Sequence, residues 1–344
     1  MTTNQVWGIF IVAVAGLIMG SSAWPIKVMR SLKYEHWGFI QCLLFLFVFP
    51  WIITLVFCPH AFQAYASIEK ALLIKSNLWS LGWGVANVLC ALCFVRIGLS
   101  LTGGIMTGIG VSLGVSLPMI FKGSGLFKDA PDLFSPVGRI VLIGVAVMVA
   151  GVIFVSLAGF GRDTVQYKHQ KTEGSFVVGF IMAVLSGILS CGISFAFVYS
   201  QGPIVEAMKA QGAHEIAANF AVWAVGLMGG AAICVIYPAY LMTKHNSWSV
   251  LLKSWKEIPL AVIMAVSALA AVVLMGKGML SLGVLGASVG FGVQQAMQMT
   301  GTQVVGFISG EWRGIQGKPR KQIYLAILLL IIAAIIMAYG NSKA

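Results

Sequence analysis

The run Ile323-Tyr-Leu-Ala-Ile-Leu-Leu-Leu-Ile-Ile-Ala-Ala-Ile-Ile-Met-Ala-Tyr-Gly340 contains no charged side chain. As a helix rising 1.5 Å per residue it is about 27 Å long. That is close to the ~30 Å hydrocarbon core of a bilayer. A helix apolar on every side has no face to offer water, so this run reads as a membrane span. Working back along the chain, the same test picks out Val6–Ile26, Trp37–Phe57, Leu78–Val95, Leu99–Phe121, Val137–Leu157, Phe176–Ser200, Ala217–Met242, Ile258–Met275 and Leu282–Ser309. The expectation is an all-α polytopic membrane protein of about ten transmembrane helices. Pro25 and Pro50 should end or kink their helices. Phe62–Ile74 reads as an interfacial helix. The run at Val6 has a leader without a basic residue and is too long for a secretory h-region, so it is expected to remain as the first helix.

Composition leads to the same class. Of 344 residues 59% are hydrophobic and 9% charged, and mean hydropathy is +0.94. A soluble domain is about 25% charged, so this chain lacks the groups to coat a water-facing surface. The net charge of +12 does not imply a nucleic-acid partner, because the basic residues cluster between apolar runs, where they set topology. The loops after helices one, three, five, seven and nine hold 14 of the 22 Lys and Arg. By the positive-inside rule both termini are expected in the periplasm of a bacterial inner membrane. Cys90 and Cys93 form a C-x-x-C without a second ligand pair, which reads as apolar packing rather than a metal or redox site.

The two halves of the chain echo each other. Arg96-Ile-Gly-Leu-Ser-Leu101 recurs as Lys277-Gly-Met-Leu-Ser-Leu282, and Gly104-x-x-x-Gly108 as Gly286-x-x-x-Gly290. Gly16-Leu-Ile-Met-Gly-Ser-Ser-Ala-Trp24 matches Gly187-Ile-Leu-Ser-Cys-Gly-Ile-Ser-Phe195. Two five-helix repeats are therefore expected at 1–160 and 176–344, joined by a loop at 161–175. An odd number of spans inverts the second repeat relative to the first. Inverted repeats build carriers whose solute site lies near the midplane.

Polar side chains inside spans are costly unless they meet a partner or a cavity. Gln294, Gln298 and Thr302 recur every fourth residue on helix nine and share one face. A carboxamide offers both the donor and the acceptor that a sugar hydroxyl needs. A helix–helix seam explains the same residues equally well. Trp83 and Asn87, one turn apart on helix three, would stack on and bond a sugar ring. Gln41, Asn219 and Trp223 are further lining candidates. Ser186, Ser190 and Ser194 read as bonded back to their own helix carbonyls. No Asp or Glu lies at the centre of a span. Glu35 with His36, or Glu206, are the candidates for carrying a coupling proton, although ordinary interfacial charges also belong there. There is no Ser/His/Asp set, metal cluster or phosphate loop, so neither an enzyme nor a cofactor is expected.

Further islands are the basic stretch Lys27–Glu35, Trp83-Gly84-x-x-Asn87, Pro203 with Glu206, and Glu311-Trp312 before a basic loop. With Arg96-x-Gly98-x-Ser100 and Gly187 to Ala196 they run from end to end. In these the chain resembles the bacterial L-rhamnose–proton symporters, a branch of the drug/metabolite transporter superfamily with ten helices in two inverted repeats. The resemblance implies proton-driven uptake of a 6-deoxy sugar across the lipid bilayer. Family members carry aromatics and a His on helix nine, where this chain has Gly290-Phe-Gly292 and the glutamines. That departure bears on which solute is bound.

The leading expectation is a secondary carrier that imports a small sugar with protons by alternating access. Export of a metabolite or amino acid is one alternative, and a non-transporting membrane sensor or assembly subunit is another. These features do not encode an oligomeric state.

Overall fold

The computed structural model describes residues 3–97, 99–120, 132–166, 175–282 and 289–341, and every regular element among them is a helix. The first is α1 (Thr3–Ser21), which gives way to a 3-10 turn at Trp24–Lys27. Pro25 sits in that turn, where a residue without an N–H loses nothing. Next come α2 (Tyr34–Cys42), a π turn (Leu43–Val48) and α3 (Phe49–Phe57). Pro50 opens α3 directly after the wider π turn, so the ring interrupts the ladder without ending the span. A short α4 (Ala61–Ser67) covers part of the expected interfacial helix, and the remainder belongs to α5 (Lys70–Ile97). Then follow α6 (Leu99–Ile120) and α7 (Pro136–Gln166).

The second half begins with α8 (Phe176–Ser190) and α9 (Gly192–Ala210). The apolar reading stops at Ser200, but the helix continues through Pro203 to Ala210. After these come α10 (Glu215–Ala221), a second π turn (Val222–Gly226) and α11 (Met228–Lys244). The short α12 (Trp248–Lys253) precedes α13 (Ile258–Leu282), α14 (Phe291–Ile308) and α15 (Lys318–Asn341).

Among the described residues six helical stretches are long and apolar enough to cross a membrane: Thr3–Lys27, Tyr34–Phe57, Pro136–Val165, Val177–Ala210, Trp255–Leu282 and Lys318–Gly340. Glu215–Gly226 with Met228–Lys244, bent by 59°, would make a seventh. The chain is a multi-pass helical membrane protein. On α14 the residues Gln294, Gln295, Gln298 and Gln303 dilute the hydropathy.

The bend between α10 and α11 frees backbone groups that lipid cannot satisfy, and α5 supplies their partners. Ser76 Oγ donates to Gly226 O at 2.6 Å and Asn77 Nδ2 to Val225 O at 2.9 Å. Asn77 Oδ1 accepts from Gly229 N–H at 2.8 Å and Ser80 Oγ from Gly230 N–H at 2.7 Å. The polar start of α5 is thus used up by a broken neighbour.

Helices pack in reciprocal pairs. α1 lies against α13 and α14, while α8 lies against α5 and α6. α5 meets α11 as α13 meets α2, and α7 runs along α15. Small residues permit the closest approaches. Gly8 faces Gly278, Ser281 and Leu282, while Gly179 faces Arg96 and Ile97. In the Gly-x-x-x-Gly pairs, Gly290 is closely packed, with Met279 Cγ 2.9 Å from where its Cβ would stand. Gly108 meets only Val152, at 3.6 Å from where its Cβ would stand, and Gly286 lies outside the described residues. Ser186 departs from back-bonding: its hydroxyl donates across to Ala86 O of α5 at 2.7 Å, a reach allowed by the close α5–α8 contact.

Candidate functional site

A cavity of about 370 Å³ opens at one end of the molecule, lined by Gln201, Gly202, Val205, Glu206, Lys209, Glu215, Asn219 and Leu280. It lies where the last turns of α9 and the first of α10 face the end of α13. Five of the eight lining side chains are polar. The Gln201 amide donates to Asn219 Oδ1 at 2.9 Å, and Asn219 Nδ2 donates to Glu215 O at 2.8 Å. Lys209 and Glu215 pair at 3.4 Å on the rim, both about half exposed, so water screens them. Nearby, burial pushes the Tyr65 phenol above its ordinary range and keeps it a donor, to Ala221 O at 2.7 Å.

The candidates read from the sequence fall in four places. Glu206 and Asn219 line this cavity. Trp83 and Trp223 meet in an aromatic and sulfur cluster with Phe45, Leu46, Ala231 and Cys234. The Phe45 and Trp223 rings stand 5.7 Å apart, one from each π turn. Asn87 donates to Trp83 O of its own helix at 2.8 Å, and Gln41 is half-buried on α2.

Gln294, Gln298 and Thr302 lie along the seam between α14 and α1. Gln294 is buried and donates to Gln298 Oε1 at 2.9 Å, while Thr302 donates to Gly20 O at 3.2 Å. A Cβ on Gly20 would overlap the Gln298 carbonyl.

Glu35 and His36 are at the opposite end from the cavity, and both are buried. His36 Nδ1 accepts from Lys33 N–H at 3.1 Å, and Nε2 lies 3.1 Å from Ser247 O. The neutral tautomer with its proton on Nε2 satisfies both contacts. Glu35 Oε1 lies 3.4 Å from His245 Nδ1.

Sequence reasoning passed over Gln201, because ending the helix at Ser200 put it outside the span. An amide in a stretch that stays apolar through Ile204 and Val205 was the available signal. The C-x-x-C thiols are free, and Cys93 donates to Gly179 O at 3.4 Å.

A family model described as L-rhamnose-proton symport protein matches residues 1–343. Proteins named L-rhamnose-proton symporter from Yersinia pestis bv. Antiqua (strain Antiqua), Yersinia pestis (strain Pestoides F) and Yersinia pseudotuberculosis serotype O:1b (strain IP 31758) are each 30% identical to this chain over 213 residues. Each match covers 62% of this chain and 60% of the relative, under two thirds of the relative's length.

Proposed function

The chain belongs to the L-rhamnose-proton symport family, and from that premise we propose that it imports L-rhamnose or a related deoxy sugar together with protons, by alternating access. The observation that carries this reading is where the cavity lies on the helix bundle. The cavity borders the end of α13, while the start of the same helix is tied to the other half of the chain by Glu257. From Glu257 to Leu280 an α-helix would rise about 34 Å, roughly a bilayer's hydrocarbon thickness. The cavity volume falls within the ~300–1,000 Å³ range of small-molecule sites.

In this reading ten helices form two inverted repeats, 1–160 and 176–344. The reciprocal packing pairs and the paired π turns support that division. The face with the basic loops is cytoplasmic, the termini are periplasmic, and the cavity opens to the periplasm of the bacterial inner membrane. Gln201 and Asn219 receive the solute first. Trp83, Asn87, Trp223, Gln41, Gln294, Gln298 and Thr302 are proposed to contact it deeper in, once the halves part. Glu206 faces the cavity, so it is the proposed proton carrier, with Glu35 and His36 on the opposite side.

The test is uptake of labelled L-rhamnose into vesicles holding the purified protein, with and without an inward proton gradient. Accumulation that collapses with the gradient is expected. A panel of deoxy sugars, hexoses and sugar acids that neither enter nor stabilise the protein would overturn the reading.

A further inference from the structure

Between the 3-10 turn at Trp24–Lys27 and α2, the chain crosses from the first span to the second through Val28–Lys33. Three successive backbone N–H groups in this loop converge on one carboxylate. Arg30 N donates to Glu257 Oε1 at 3.1 Å, Ser31 N lies 3.2 and 3.1 Å from Oε1 and Oε2, and Leu32 N donates to Oε2 at 3.0 Å. Such a nest of N–H groups is a fitting anion seat, and bonds to an ionised acceptor are the stronger kind. The partners are separated by 225 to 227 residues. The carboxylate therefore joins the first half of the chain to the second.

The same loop is held at two further points. Lys27 pairs with Glu311, which also pairs with Arg162 at the end of α7. His36 reaches Ser247 O, just before α12. Leu32 is consequently buried although it lies in a connecting loop. These ties gather at the end of α13 opposite the cavity. Glu257 is only half-buried, so water can replace the three donors and the clasp can open.

We propose that Glu257 is a positioning residue of the transport cycle: it clasps loop 28–33 over the mouth at the basic face while the cavity is open, and releases it for the solute to leave. The proposal rests on the carrier reading above. Glu257 touches no solute. It acts by setting which mouth is closed, through the backbone of Arg30, Ser31 and Leu32.

The test uses the full chain in vesicles, with Leu32→Cys as a reporter and the parent without it as background for the native thiols. An impermeant maleimide added from the basic-loop side reads release of the loop. Labelling is expected to rise about fivefold with Glu257→Ala, with Glu257→Gln in between and Glu257→Asp near the parent. That is the change expected if the released population rises about fivefold. In a second arm, Ser31→Cys and Lys256→Cys are joined by a cleavable bifunctional maleimide. Uptake should stop when the linker is in place and return when it is cut. That lock acts on a chain whose Glu257 is intact, so it does not depend on whether the 257 variants fold. Labelling that is equal in all four 257 forms, or uptake that survives the lock, overturns the clasp alone. No flux of any sugar by the unmodified chain overturns the carrier reading, and the clasp's role in transport with it.

Discussion

Gln201 and Asn219 join two consecutive helices by their side-chain amides, Nε2 to Oδ1 at 2.9 Å, in the wall of the cavity at the end of α13. An amide pair in an otherwise apolar bundle is costly unless it has a use. In this reading it presents donors and acceptors to an incoming polyol.

Gln201→Leu keeps most of the side-chain volume and removes the amide. A lost hydrogen bond to a bound solute costs about 1–3 kcal/mol, so the KM for uptake should rise by roughly five- to a hundredfold, converted at 1.4 kcal/mol per decade. Kinetics in vesicles at matched protein levels check this. A KM within twofold of the parent would remove the pair from the solute path.

Gln298→Leu tests the deeper candidates. The side chain accepts from Gln294, and its backbone carbonyl lies against Gly20. Uptake should be abolished while membrane insertion and detergent stability stay intact. Unchanged uptake would make Gln294 and Gln298 a packing seam.

Glu206→Gln removes a carboxylate from the cavity wall without changing its shape. Gradient-driven accumulation should be lost, while exchange of labelled for unlabelled sugar at equal concentrations persists. Glu35→Gln is the control at the other end. If accumulation fails only there, the proton is carried by Glu35.

Gly84→Val tests packing. A Cβ at Gly84 would stand 2.8 Å from Gly230 O and 2.9 Å from the Ile233 Cβ, both on α11. Overpacking of this kind costs about 1–3 kcal/mol. Thermal unfolding in detergent should shift down. Gly103→Val has nothing within 4 Å of the new Cβ and should leave it unchanged.

By itself the sequence determined the solvent and the kin of this protein. Whether a run such as Ile323–Gly340 enters lipid depends on its own transfer free energy, and the islands around Trp83, Arg96 and Gly187 are contiguous in the chain. Local features were read well for the same reason: Pro25 falls in the 3-10 turn after α1 because a proline lacks an N–H wherever it stands. What the sequence left undecided is what each polar side chain faces. Ser76, Asn77 and Ser80 turn out to satisfy a bend 150 residues away, at Gly230. Asn87 turns back on its own helix, and Gln201, two residues before Pro203, lines the cavity. Glu257 could be seen only as a charge before an apolar helix, yet it binds three N–H groups of the first half. Only the tertiary structure decides such pairings. Hydrogen bonds between helices depend on which glycine-bearing faces come together, and no local pattern records that choice.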